Sequence, residues 1–309
     1  MNPSIGIPAS EPSPHASTAE AARILGVGVT TVKRWVDEGI LPAQRTPGGH
    51  RKLLLRDVIR LARSGRVPQA DLSPLQASGD LPAIRKRLAK AVDAADFEVI
   101  GAVLLGAYCG GHGIEVIADS LVAPELRRVG DCWKSGALTI AEEHRITRAF
   151  IAACYGLESH RRPRPAHARP VALGGAPEGD YSILPSLLAK LTLLDAGWDA
   201  IDLGPHTPLS EFARALDTER PKLVWLSASH IADTVRFAKE YGDFYRLAAA
   251  RGIAVAIGGC ALTPKLAAGL AYSICGEGFV DLAVFAKSMH DPSRLPVRGR
   301  PAGTGNRSD

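Results

Sequence analysis

The sequence predicts a multidomain α and α/β protein: a winged helix-turn-helix, then a helical bundle, then a five-stranded doubly wound parallel sheet. Three observations predict it. Residues 1–67 hold ten Lys/Arg against five Asp/Glu, an excess equal to the formal net charge of +5 of the whole chain. Residues 81–158 keep a helical spacing of apolar residues broken only at short Gly/Asp turns. After Pro170 the period changes, and five apolar strand-like runs alternate with helical ones. A chain of 309 residues has room for two or three domains, each with its own core.

Residues 1–16, with Pro3, Pro8, Pro12 and Pro14, lack apolar periodicity and read as a disordered lead-in. Ser17-Thr18-Ala19-Glu20 fits a capping box, in which a hydroxyl and a carboxylate three residues on satisfy free amides at a helix start. Ala21, Ala22, Ile24 and Leu25 form a short apolar face that Gly26 ends. Val29–Glu38 follows as a second helix with Val32, Trp35 and Val36 inward. The stretch from Gly39 to Lys52, two extended arms around Pro47-Gly48-Gly49, reads as a hairpin, and Leu55–Ala62 as the closing helix of a domain spanning 17–67. Residues 68–80 are the linker.

Helices are expected at 82–93, 96–107, 112–121, 123–134 and 138–157, making a bundle over 81–158. A basic, proline-rich connector occupies 159–169. Between 170 and 290 the expected strands are Val171–Gly174, Asp199–Leu203, Leu223–Ser227, Ala254–Gly258 and Ala271–Cys275, and the tail from 291 to 309 reads as disordered. Five such β/α units make an open parallel sheet covered on both faces.

Composition excludes several classes. There is no run of eighteen apolar residues and no secretory start, which points to a cytoplasmic protein without a membrane partner. Cys109, Cys132, Cys154, Cys260 and Cys275 show no zinc-site spacing and read as reduced core residues. No Ser-His-Asp order, phosphate loop or metal-ligand motif stands out, so the expectation is a regulator rather than an enzyme.

The concentrated positive field is that of a phosphate-binding module. Thr31, Lys33 and Arg34 fall on the outward face of the second helix, within reach of major-groove base edges and phosphates, and Arg45, His50 and Arg51 fall on the wing. The segments Ser17–Ala22 and Gly26–Trp35, then Gly39-Ile40-Leu41 and Thr46-Pro47-Gly48-Gly49-His50-Arg51, resemble the MerR family of transcriptional regulators. That resemblance implies a double-stranded operator as partner and action in pairs or larger homo-oligomers.

Trp133 is followed by nine residues and then Glu143-His144. Taken alone, these are a core indole and a solvated helix turn. In this domain order, however, they resemble the cobalamin-binding region of the MerR-type photoreceptor repressors of carotenoid genes. The resemblance implies a flavodoxin-like cobalamin-binding fold at the C-terminus, with the tryptophan over the upper face of the cofactor and the Glu-His pair beside it. It also implies an Asp/Glu-x-His-x-x-Gly/Pro loop whose histidine coordinates cobalt from below. This sequence departs there: the loop reads Asp180-Tyr181-Ser182-Ile183-Leu184-Pro185, with Ser182 at the ligand position, and Lys134 stands where light-sensing members carry a histidine.

A hydroxyl is a poor cobalt ligand beside imidazole. The expectations are therefore cobalamin held without an axial histidine, another tetrapyrrole, or no cofactor with the region serving protein interaction. Loop residues Gly204, His206, Ser227, His230, Gly258 and Gly259 at the strand ends form the candidate cleft, where small residues admit a ligand to the backbone. His206 and His230 are the alternative metal or tetrapyrrole contacts. The resemblance implies that the sensor governs oligomerisation and thereby operator binding.

Overall fold

The computed structural model describes residues 15–45, 51–54, 57–58, 61–62, 67, 80–160 and 169–289. The wing tip with His50, both linkers except Val67, Asp80, Ser159, His160 and Arg169, the lead-in before His15 and the tail after Met289 lie outside the described residues. The chain divides into two units. One comprises residues 1–113 with 120–164, the other 114–119 with 165–309.

In the first unit, β1 (His15–Ser17), α1 (Thr18–Leu25), α2 (Val29–Asp37), β2 (Ala43–Arg45) and β3 (Arg51–Leu54) form the N-terminal domain. The strands make an antiparallel sheet in the order β1-β3-β2, with Ala43 and Ala16 both opposite Leu53. Ala21, Ile24, Leu25, Val32, Leu41, Leu53 and Val58 share one core. Of the three α2 residues expected inward, Val32 is fully buried, while Trp35 and Val36 pack against that core half-buried. Gly26 and Gly39 adopt φ of +62° and +75°, which lets the chain reverse after each helix. Strand β1 was not anticipated. Three residues at a sheet edge are too few to show a period of two, so the sequence leaves His15 and Ala16 in the lead-in and gives Ser17 to the helix cap. Asp57, Val58, Leu61 and Ala62, the described residues of the expected closing helix, are helical.

The same unit holds α3 (Leu81–Asp93), α4 (Phe97–Cys109), α6 (Ala123–Lys134) and α7 (Ile140–Ser159), α5 being assigned below. Asp96 caps α4 by accepting from the amide of Val99 at 3.1 Å, and Thr139 and Glu142 cap α7 reciprocally. Arg128 on α6 joins the end of α3 to its own helix, at 2.8 Å from Asp93 and 2.8 Å from the buried Glu125. The third expected helix, 112–121, is instead a four-residue α5 (Ile114–Ile117) running into a π turn (Ala118–Val122), and residues 114–119 belong to the second unit.

That second unit is built from β4 (Val171–Gly175), α8 (Leu184–Asp195), β5 (Asp199–Asp202), α9 (Leu209–Glu219), β6 (Leu223–Ser227), α10 (Thr234–Ala250), β7 (Ala254–Gly258), α11 (Pro264–Ala268), β8 (Ile274–Cys275) and α12 (Phe279–Ser288). All five strands are parallel, in the order β5-β4-β6-β7-β8, so the direction of winding reverses at β4. Leu173, Val224, Leu226, Val255 and Ile257 point toward α9 and α10, where Phe212, Phe237, Tyr241 and Phe244 complete the core. Trp225 points to the other face and donates to Ser186 on α8 at 3.1 Å. Asp119 anchors the 114–119 segment by accepting from the first amides of α12, Phe279 and Val280, each at 2.9 Å. Lys287 adds an ion pair to Glu115 at 3.2 Å.

The last strand is shorter than expected. Only Ile274 and Cys275 join the ladder, because the Ser273 hydroxyl accepts from the amide of Val255 and the Ala271 carbonyl accepts from the Tyr241 hydroxyl at 2.7 Å. The cysteine expectation also needs correction. Cys109 and Cys154 are buried, and burial pushes the Cys154 thiol up to about 12, but Cys260 is exposed on the loop after β7. All five are free thiols.

Gly174 ties the two central strands together. A Cβ there would lie 1.9 Å from the Trp225 ring, so only glycine lets the indole lie against β4. Gly174→Ala should therefore lower the stability of the α/β unit by about 3 kcal/mol or more. The check is urea unfolding followed through the fluorescence of the four tryptophans. An unchanged midpoint would mean that the indole has another place to go.

Candidate functional site

On the N-terminal domain, Lys33 and Arg34 are exposed on α2 and Thr31 is half-exposed, so the three share the solvent side opposite the buried Val32. Arg34 lies 3.8 Å from Glu38, an exposed pair one turn apart that leaves the guanidinium largely in solvent. Arg51 behaves differently. Its Nη2 donates to both carboxylate oxygens of Asp37, at 2.7 and 3.0 Å, and its side chain is only 21% exposed. The wing arginine thus braces β3 against the last turn of α2. Arg45 pairs with Arg51 in the β2–β3 register. Sequence reasoning missed Asp37, because an acid in the last turn of a basic helix carries no motif signal.

In the helical region, Trp133 is not a core residue. It occupies the last turn of α6 and is 46% exposed. Gly136, at φ +78°, turns the chain directly into α7, which brings Glu143 and His144 to the same end of this helix pair. The Glu-Glu-His run has divided roles. Glu142 closes the capping box, and Glu143 accepts from the Thr147 hydroxyl at 2.7 Å. His144 is exposed, with Nε2 3.5 Å from Glu143. An indole face, a carboxylate and an imidazole thus stand at one edge of the bundle.

In the α/β unit, the loops after β4, β5 and β6 meet at the point where the winding reverses. Asp180 is fully buried and binds them together. Its Oδ2 accepts from the amides of Ser229 at 2.5 Å and His230 at 3.1 Å, and its Oδ1 from the amide of Ser182 at 2.9 Å. Its carbonyl accepts from the amide of His206 at 2.7 Å. A carboxylate so engaged is a structural tie rather than a contact offered to a ligand. A parallel bridge between Pro177 and Thr207 closes the next pair of loops.

The histidines of these loops are exposed but differ in availability. His206 sits at φ +54°, its ring stacked on Tyr181 with centroids 4.7 Å apart. The amide of Gly179 donates to its Nδ1 at 2.8 Å, which leaves the proton on Nε2. A neutral imidazole has one lone pair, and here an amide already holds it, so His206 is not set up to coordinate a metal. His230 contributes its amide to Asp180, and its side chain is exposed.

Ser182 is half-exposed, and Ser227 is buried at the end of β6. No group of three or more His, Cys, Asp or Glu among the described residues could hold a metal ion.

The glycines answer the question of whether small residues serve a ligand. A Cβ on Gly259, at φ +114°, would meet the Ala228 carbonyl oxygen at 2.2 Å, and one on Gly175 the Gly204 oxygen at 2.7 Å. Both are required by loop-to-loop packing. Gly204 faces open space, but its φ of +87° alone calls for glycine. A cleft of about 190 Å³ lies between Gly179, His206, Leu209, Asp233 and Arg236. Small-molecule sites usually measure about 300–1,000 Å³, so this cleft is below that range.

Comparison with known proteins bears on both regions. A helix-turn-helix domain model matches residues 17–68, and a B12 binding domain model matches residues 84–157. The chain is 29% identical over 269 residues to the HTH-type transcriptional repressor CarH of Myxococcus xanthus, covering 78% of this chain and 87% of that protein. It is 26% identical over 245 residues to the HTH-type transcriptional repressor CarA of the same organism, covering 74% and 81%. The monomethylamine corrinoid protein of Methanosarcina barkeri superposes with a TM-score of 0.56 at 15% identity, over 68% of this chain and all of that one, which shows a shared fold. The chain is thus a helix-turn-helix protein with a B12-binding-type domain, homologous to these repressors. No helix among the described residues is long and apolar enough to cross a membrane.

Two outcomes are expected. Lys33→Ala should make the salt dependence of duplex-DNA binding shallower by about one unit, as loss of one phosphate contact requires, whereas Arg51→Ala should leave the slope unchanged while weakening binding. Anisotropy titrations across a salt series measure both, and a slope change for Arg51→Ala would return that residue to the phosphate contacts. Asp180→Ala leaves three amides without their acceptor, at about 1–3 kcal/mol each. It should lower the urea midpoint more than Ser182→Ala does.

Proposed function

We propose that this protein is a DNA-binding transcriptional repressor whose C-terminal region senses a corrin-type ligand and sets how many winged domains act together on an operator. The observation that carries the reading is the conjunction, in one chain, of an exposed basic face on α2 with an exposed indole ahead of Glu143-His144 on a B12-binding-type domain. Similarity along most of the chain to two proteins named as repressors supports the sign of regulation. Lys33, Arg34 and Thr31 make the DNA contacts of α2, and Arg45 and His50 are assigned to DNA from the sequence alone. Arg51 positions the wing. Trp133, Glu143 and His144 supply the ligand contacts of the helical region.

Valency is the physical means. A single winged domain makes few contacts, and joining two such modules raises apparent affinity by about 100 to 10,000-fold without any new contact. A ligand that binds one assembly state better than another shifts the population, and with it operator occupancy.

Ser182 and the engaged lone pair of His206 favour a second reading, in which the sensor region assembles the protein with no cofactor. One experiment separates the two. Gel filtration with light scattering, and mobility shift on DNA from upstream of the protein's own reading frame, are run with and without methylcobalamin and adenosylcobalamin, in the dark and after illumination. A change in both mass and shift on adding corrinoid is the expected result. DNA binding that ignores ligand and light would establish the cofactor-free assembly module, and absence of DNA binding would remove the repressor reading itself.

A further inference from the structure

The α/β unit contains a feature that neither the DNA-binding nor the sensing role uses. Trp225, 2% exposed, lies at the centre of the sheet on the α8 side. Its indole N–H donates to the Ser186 hydroxyl at 3.1 Å, which donates to Asp202 Oδ1 at 2.9 Å, and the amide of Gly204 donates to the same oxygen at 2.9 Å. Trp198, 1% exposed, fills the same layer further down and donates to the carbonyl of Ala286 on α12 at 3.1 Å. Each N–H and O–H of this relay has its acceptor inside the protein.

A cobalamin carries a nucleotide tail ending in a bicyclic benzimidazole. When that base leaves cobalt, a protein side chain or water takes its place, and the protein must house the tail. Passing the end of this sheet, a tail could enter only between the sheet and one of its two helix layers. On the α9 and α10 side the space is filled by Val224, Leu226, Phe212, Phe237 and Phe244. On the α8 side it is filled by the indole of Trp225, a bicycle of the same size as the base, lying against Gly174 with no room for a Cβ. Above it, Asp180 fastens the loops after β4 and β6 together. Ser182, at the ligand position, is a hydroxyl and the Nδ1 of His206 is engaged, which leaves His230 as the exposed imidazole of these loops.

We infer that the α/β unit of this chain is closed to the nucleotide tail, with Trp225 as the plug, so that any cobalamin the protein takes up keeps its own benzimidazole on the metal. The inference rests on the corrin-type reading above only for the choice of probe. It concerns ligation and is read without DNA.

The test is electron paramagnetic resonance of cob(II)alamin added to uniformly 15N-labelled full-length protein, followed by desalting. Splitting by natural-abundance benzimidazole nitrogen gives three lines, a protein nitrogen gives two, and a cobalt without axial nitrogen gives none. Three-line splitting, or cobalt that elutes free, is the expected result for the wild type and also for Ser182→His. Two-line or unsplit signals from either would overturn the inference, because the tail would then have found a berth. The double variant Ser182→His/Trp225→Gly, accepted only if its circular dichroism matches the wild type, should convert to two lines. A folded double variant that still shows three would remove Trp225 from the explanation.

Discussion

The carboxylate of Asp180 is the constraint on which the ligand-facing edge of the α/β unit depends. An open parallel sheet leaves a crevice where its winding reverses, and such crevices ordinarily receive a ligand. Here one buried side chain spans it, accepting three amides from two loops while its own backbone carbonyl holds a third loop at His206. Hydrogen bonds to a charged acceptor are worth about 1.5–3 kcal/mol each, enough to offset burial of the charge only because all three are made together. The loops are therefore set by the protein itself. Gly259 and Gly175 follow from that arrangement, since the loops so fastened approach more closely than any Cβ would allow.

The two tryptophans that bear on ligand binding divide along the same line. Trp225 completes the interior of the sheet and has its N–H satisfied within 3.1 Å, whereas Trp133 ends a helix with nearly half its surface in water. An indole that size contributes strongly when covered and costs solubility when it is not. An uncovered one beside a carboxylate and an imidazole is what a helical domain would retain for an apolar, planar partner. The exposed indole thus belongs to the helical region, whereas the α/β loops are held by contacts within the protein.

Much of the architecture was legible in sequence because it rests on periodicity and turn chemistry. The break at Asp96, the stop at Gly26 and the strands at 223–227 and 254–258 fall where apolar spacing and cap residues put them. What escaped was set by tertiary partners. The 114–119 segment has helical spacing, yet Asp119 commits it to the amide end of α12, 160 residues away. Strand β8 lost three residues to the side chains of Tyr241 and Ser273. Site residues followed the same rule: the exposure of Lys33 and Arg34 follows from helical phase, but the engagement of Asp180 and His206 by amides of other segments is encoded in no motif.

Arg51 shows why charge counts overstate the DNA-binding surface. Among the described residues, its guanidinium contributes to the net charge of the N-terminal domain but is matched on the spot by Asp37, and its field beyond that pair is largely cancelled. Its value lies in geometry. A wing that swings freely must lose that freedom on binding, at about 0.5–1.5 kcal/mol for each side chain immobilised, whereas a wing already braced against the recognition helix has lost it on folding. A neutralised arginine can in this way strengthen DNA binding more than a free one. The same holds in the α/β unit, where Asp180 fixes the loops on folding.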